Sequence, residues 1–146
     1  MKRSNIFQLL VKEAALTHRS NQGRLGESQR QLEGSKQTQD MLSEYRSRQQ
    51  KGLVAGKTLA IHELTVRDRF IEKLNLALTQ QAGLVARHEA NVIANQSLLR
   101  TSAVRLRSIE RLISRRHIRQ AQQDQTTAQK QTDEQSALIF ARRNQS

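Results

Sequence analysis

Every seventh residue from Leu64 to Ile113 is aliphatic: Leu64, Ile71, Leu78, Val85, Val92, Leu99, Leu106 and Ile113. A seven-residue apolar repeat sustained this long predicts a helix that keeps one seam against a partner helix. The column one residue earlier is mostly apolar as well, with Phe70, Ala77, Leu84, Leu98 and Leu112 interrupted by Asn91 and Arg105. Globular helices seldom exceed about 25 residues, so an ordinary bundle helix explains the pattern poorly. If fully buried, the eight aliphatic residues would contribute about 12–24 kcal/mol as an upper bound.

The first third of the chain carries a weaker form of the same pattern. A heptad trace runs through Val11, Ala14, His18, Asn21, Leu25, Ser28, Leu32, Ser35, Gln39, Leu42, Arg46 and Gln49, half of them polar. It predicts a first helix over residues 4–50. Ala14, Ser28 and Ser35 are small enough to let a second helix approach closely. Gly23, Gly26 and Gly34 each cost about 1 kcal/mol in a helix interior, which leaves a break open between residues 20 and 36. Glu44 and Arg48 stand at the spacing of a favourable helical ion pair.

The chief interruption is Lys51-Gly-Leu-Val-Ala-Gly-Lys-Thr58. Gly52 suits a helix end and Thr58 an N-cap, so residues 51–58 read as a turn and 59–140 as the second helix. Two long helices joined by a short glycine-bearing loop predict an all-α fold, a two-helix antiparallel coiled-coil hairpin spanning residues 1–146 as one unit. An elongated, almost wholly helical molecule follows. Gly56-Lys57-Thr58 matches the end of a phosphate-binding loop, but Lys51 stands where that motif needs its first glycine and no strand precedes it.

Pairing about residue 55 places Leu42 near residue 68 and Phe7 near residue 103, so that residues beyond about 107 project alone. Gln120–Gln135 reads as a solvated or frayed helix, and Leu138-Ile139-Phe140 as a small apolar knot suited to a partner. The absence of Pro allows very long helices, and three aromatic residues in every hundred argue against a sizeable globular core. Met1-Lys2-Arg3 and the short apolar run Ile6–Val11 fall short of a signal peptide. No apolar run reaches the roughly 20 residues of a membrane span, and zero Cys fits a reducing compartment. The expectation is a soluble cytoplasmic protein.

Charge sharpens the picture. Residues 1–57 carry 11 basic and 5 acidic residues, residues 58–99 carry 4 and 4, and residues 100–146 carry 10 and 4. The net charges are +6, 0 and +6, and a hairpin brings the two basic ends together. The positive end of the second helix begins with Arg100, Arg105, Arg107, Arg111, Arg115, Arg116 and Arg119, at several angles around it.

Candidate catalytic chemistry is sparse. His18, His62, His88 and His117 show no metal-ligand spacing, and no nucleophile, base and acid converge. His88 reads as a packed or solvated residue on the polar side of the seam. A two-helix coiled coil also lacks a concave pocket that excludes water, so no enzyme activity, cofactor or metal is expected. A nucleic-acid binder would suit the isoelectric point near 11.4. However, no helix-turn-helix, zinc finger or aromatic stacking platform is present, and the basic end follows the seam instead of preceding a parallel zipper. A membrane-surface helix lacks its aromatic anchors. A protein-interaction stalk or chaperone remains.

The layout resembles the flagellar FliJ family of type III export proteins, and more loosely the stalk proteins of injectisome secretion systems. Nearly the whole chain carries the likeness, with a local pattern of Leu42-Ser-Glu-Tyr45-Arg46 and Phe70-Ile-Glu-Lys-Leu74-Asn-Leu-Ala77 near the turn. The resemblance implies a non-enzymatic coiled coil similar to the central stalk of rotary ATPases. Its partners would be the hexameric export ATPase, the cytoplasmic domain of the membrane export gate, and export chaperones. It would sit in the cytoplasm at the inner membrane without inserting, and serve flagellum assembly and motility. The gate-contacting face maps onto Leu42, Tyr45, Phe70, Leu74 and Ala77. Thr38, Gln49 and Gln81 depart from the pattern, which would have a glutamine, a second tyrosine and a histidine there. The basic terminal end, with Arg105, Arg107, Arg111, Arg115, Arg116 and Arg119, is expected to enter the ATPase ring.

Overall fold

A computed structural model describes residues 2–54 and 60–145, and the side chains of 5–52 and 60–145. Two helices account for nearly all of it: α1, Lys2–Val54, and α2, Ile61–Asn144. The fold is an all-α helical hairpin, as the heptad columns predict. α1 extends past both expected ends, 4 and 50, whereas α2 starts at Ile61 instead of 59 and runs on past 140. The capping role expected of Thr58, and Gly56 with it, lie outside the described residues.

All twelve positions of the first trace, Val11 through Gln49, are buried or half-buried. Ala14 is 1% exposed, and Ser28 and Ser35 are buried with it, so small side chains set the closest part of the seam. The glycines do not break α1. Gly23 and Gly34 face solvent, and packing of the seam outweighs their poor helix propensity. Gly52 does not end the helix either: it is half-buried inside the last turn of α1, beside the Arg67 guanidinium.

On α2 the aliphatic column does face α1, but only Val85 and Val92 are buried, and Leu64 is 40% exposed. The upper-bound burial expected of the eight is therefore not reached. The column that completes the seam is not the apolar one expected. Phe70, Leu84, Leu98 and Leu112 lie exposed at its margin, and Ala77 is half-buried. The second seam column is instead Arg67, Leu74, Gln81, His88, Asn95, Ser102 and Ile109, all except buried Leu74 and Ser102 half-buried. This column lies three residues after the aliphatic one, the spacing that keeps both toward a single partner.

Several polar residues inside the seam are held by directed bonds. Two compact units divide the chain, residues 17–102 and residues 1–16 with 103–146. In the first, His18 Nδ1 lies 3.1 Å from Ser102 Oγ, which itself donates to the Leu99 carbonyl at 2.9 Å. Ser102 therefore accepts from His18 Nδ1–H. Asn21 Nδ2 donates to the Leu98 carbonyl at 3.3 Å, and Gln81 Nε2 donates to both the carbonyl and the hydroxyl of Ser35 at 2.9 Å. In the second unit Arg105 grips Glu13 with two bonds of 3.1 and 3.2 Å.

These partners fix an antiparallel register. Ser35 meets Gln81, His18 meets Ser102, and Glu13 meets Arg105, so the pairing is centred near residue 59 rather than 55. Leu42 accordingly borders the same groove as Ala77, not residue 68, and Phe7 lies under Arg116, not near residue 103. The uncovered part of α2 starts later than residue 107. Ile109 and Ile113 are still half-buried, and from Ser114 to Gln145 every residue is exposed. Gln120–Gln135 is helical and solvated, with Gln120–Asp124 and Gln129–Asp133 side-chain bonds at 3.2 and 3.4 Å along it.

Candidate interaction surfaces

Close to the turn, the Tyr45 and Phe70 rings meet edge to face, 5.8 Å between centroids and 79° between planes. That geometry sets the positive edge of one ring on the negative face of the other. Tyr45 is 45% exposed and Phe70 39%, so the pair presents an aromatic surface without being part of the core. Leu42 is half-buried in the seam, and Ala77 is half-buried beside it. Leu74 is different: it is 7% exposed and belongs to the seam itself. The structure therefore brings Tyr45, Phe70, Leu42 and Ala77 to one edge and places Leu74 beneath them.

The three departures from the resembled pattern have structural roles of their own. Gln81 locks to Ser35, as above. Thr38 Oγ1 donates back to the Gly34 carbonyl at 3.1 Å, and Gln49 is half-buried. Glu44 and Arg48 form the expected i,i+4 pair at 2.6 Å, both well exposed and thus a small contribution to stability.

At the other end the six expected arginines divide into two groups. Arg105 and Arg116 turn toward α1, the first onto Glu13 and the second over the Phe7 ring at 4.5 Å from its centroid. A cation over an exposed aromatic face is worth about 0.5–1 kcal/mol and holds the guanidinium in place. Arg107, Arg111, Arg115 and Arg119 are exposed and make no hydrogen bond or ion pair with any described residue. Their four-residue spacing keeps them on one side of α2, drifting about 40° per step. Ile109 and Ile113 face α1, so these four look outward. The arginines do stand at several angles around α2, four in an outward row and two turned toward α1.

Arg115, Arg116 and Arg119 also rim an open notch of about 430 Å³ whose apolar floor is Phe7 and Leu112. Planar guanidiniums beside an apolar floor suit a carboxylate on a partly apolar segment. Phe7 is not legible as part of this end in the sequence, because a register centred near residue 55 sets it near residue 103, too close to the turn. The usable signal is that Phe7 and Arg116 both continue the seam columns, seven residues before Ala14 and after Ile109.

His88 is not on the polar side of the seam but in it, and its Nδ1 is buried without a hydrogen-bond partner. Among the described residues no cluster of His, Cys, Asp and Glu could hold a metal ion. Among the same residues, no helix is long and apolar enough to cross a membrane.

A family model described as "Flagellar FliJ protein" matches residues 4–145. No curated protein matches the chain, and no solved structure does.

Proposed function

The chain belongs to the flagellar FliJ family and is a flagellar export-related protein, and from that premise we propose that it acts as a non-enzymatic, stalk-like component of the export apparatus. Its arginine-bearing end engages the hexameric export ATPase. The Tyr45–Phe70 face, with Leu42 and Ala77 beside it and Leu74 supporting it from the seam, docks the cytoplasmic domain of the export gate. Export chaperones are escorted by the same protein, which is held at the cytoplasmic face of the inner membrane through these partners.

The observation that carries the reading is the separation of the arginines. Arg107, Arg111, Arg115 and Arg119 form an outward row without a hydrogen bond or ion pair to any described residue, next to a notch floored by Phe7 and Leu112. A cationic row with its charges unspent is suited to steering toward and gripping an acidic surface, and such steering weakens with ionic strength. Carried in the unit of residues 1–16 and 103–146, it offers a ring a cationic grip.

Charge reversal at Arg107, Arg111 and Arg115 tests this against a matched reversal at Lys51, Arg69 and Lys73, which are also exposed. The distal set is expected to abolish stimulation of the ATPase ring and to reduce motility sharply, with helicity intact. The proximal set is expected to leave ring binding unchanged. Equal effects from both sets would mean that net charge alone matters, and the ring assignment would fail.

A further inference from the structure

Beyond the aromatic face and the arginine end, the hairpin has two long edges of unlike chemistry. In the unit of residues 17–102, one edge is formed on α2 by Asp68, Asn75, Ala82, Glu89 and Gln96, and on α1 by Gln22, Gln29, Lys36 and Ser43. It is polar throughout apart from Ala82. The opposite edge, identified by the Tyr45–Phe70 contact, carries Phe70, Ala77, Leu84, Asn91 and Leu98 on α2, facing Thr17, Arg24, Gln31, Thr38 and Tyr45 on α1. Leu84 is 39% exposed and Leu98 47%. A groove of about 590 Å³ opens along this edge between Leu42, Ala77, Leu84 and Arg87.

The stretch from Leu84 to Leu98 follows the aromatic face on α2 and lies wholly in the unit of residues 17–102. It extends about 21 Å, four helical turns. Of the charges along it, Glu27 on the α1 flank is already held by Arg30 at 2.8 Å. Arg24 on α1 and Arg87 on α2 border it, and neither has a hydrogen bond or ion pair with any described residue.

We infer that the Leu84–Leu98 edge is a docking groove for one amphipathic helix of a partner protein, a helix whose apolar stripe is flanked by carboxylates. The two leucines, fourteen residues apart with Asn91 between them, match two heptads of a third helix lying along this edge, and a helix in a groove is a recurrent mode of recognition. The two unpaired arginines specify acidic flanks on that helix. A second copy of this chain does not meet the requirement, because it carries net charge +12 and would bring the same basic border. The groove overlaps the proposed gate face at Leu42 and Ala77 and otherwise uses none of the ring or gate residues, so variants at Leu84 and Leu98 and variants at Tyr45 and Phe70 tell the two apart.

The test uses the full chain and a fluorescent synthetic 18-residue helix with a leucine stripe flanked by glutamates, followed by anisotropy at 150 mM salt. One-to-one binding is expected. It should weaken at least ten-fold in Leu84→Asp with Leu98→Asp and in Arg24→Glu with Arg87→Glu. It should be unchanged in Tyr45→Ala with Phe70→Ala. Gln29→Asp with Gln96→Asp on the polar edge changes the net charge as much as the leucine pair does and should also have no effect. Circular dichroism confirms that each variant is folded. No binding, equal loss in the polar-edge control, or equal binding of a lysine-flanked peptide would overturn the inference. A wild-type dimer in sedimentation that dissociates in the leucine variant would also overturn it, giving the edge to a second copy.

Discussion

Replacing Gly23 and Gly34 by alanine should stabilise the protein. Both lie in the interior of α1 with their backbone already helical, and both face solvent. A Cβ added at either position meets nothing within 4 Å. The native state therefore gains no clash, while the unfolded chain loses conformational freedom. Glycine in a helix interior stands about 0.8–1.0 kcal/mol above alanine. The two sites are eleven residues apart, about 16 Å along the helix, far enough for additivity. The double variant should thus gain about 2 kcal/mol. For a chain of this size that corresponds to a rise in Tm of about 4–8 °C. Urea and thermal unfolding followed at 222 nm read both quantities. A double variant no more stable than the wild type would refute the continuous helix, because glycines at a real break would be neutral or preferred.

Three further outcomes follow from the same packing. His88→Leu should raise stability by about 1 kcal/mol in urea unfolding, since it removes a buried ring nitrogen that has no hydrogen-bond partner; a loss of that size would show that the nitrogen is satisfied in solution. Val92→Ala, at a buried seam position, should cost about 1–3 kcal/mol, whereas Leu138→Ala on the exposed end of α2 should change stability by less than about 0.5 kcal/mol. Glu13→Gln should cost less than about 1 kcal/mol despite its two bonds to Arg105, because both side chains are about half exposed, and the cost should shrink further in high salt.

The sequence makes one side of each helix legible and hides the other. The α1 trace is read correctly in full because two columns at alternating three- and four-residue spacing leave no other choice, even with half of them polar. On α2, apolarity points to the wrong second column: Phe70, Ala77, Leu84 and Leu98 look like seam, yet α1 offers small and polar partners that prefer Gln81, His88, Asn95 and Ser102. The side-chain bonds of Gln81 to Ser35 and His18 to Ser102 make that polar column tolerable in the seam, and no periodicity reveals such bonds. The register is misread for a related reason. Gly52 looks like a helix end, but packing carries α1 past it, and a few residues at the turn displace every pairing along the hairpin. That displacement is why Phe7 is not seen beneath Arg116, whereas Leu74 is set on the gate-contacting face by the resemblance and belongs to the seam through the second α2 column. The arginines are found from composition, but their division into anchored Arg105 and Arg116 and an outward row needs the helix pairing.

Hydrogen exchange of the full chain, alone and bound to the export ATPase ring, tests the central claim most directly. Without the ring, every residue of segment 120–144 is exposed, and this segment should exchange fastest within α2. With the ring, amides from about 106 to 140 and those at the start of α1 should gain protection, while 61–75 near the turn should not change. Protection confined to 61–75 with no change beyond 106 would contradict the account and assign the ring to the aromatic face instead.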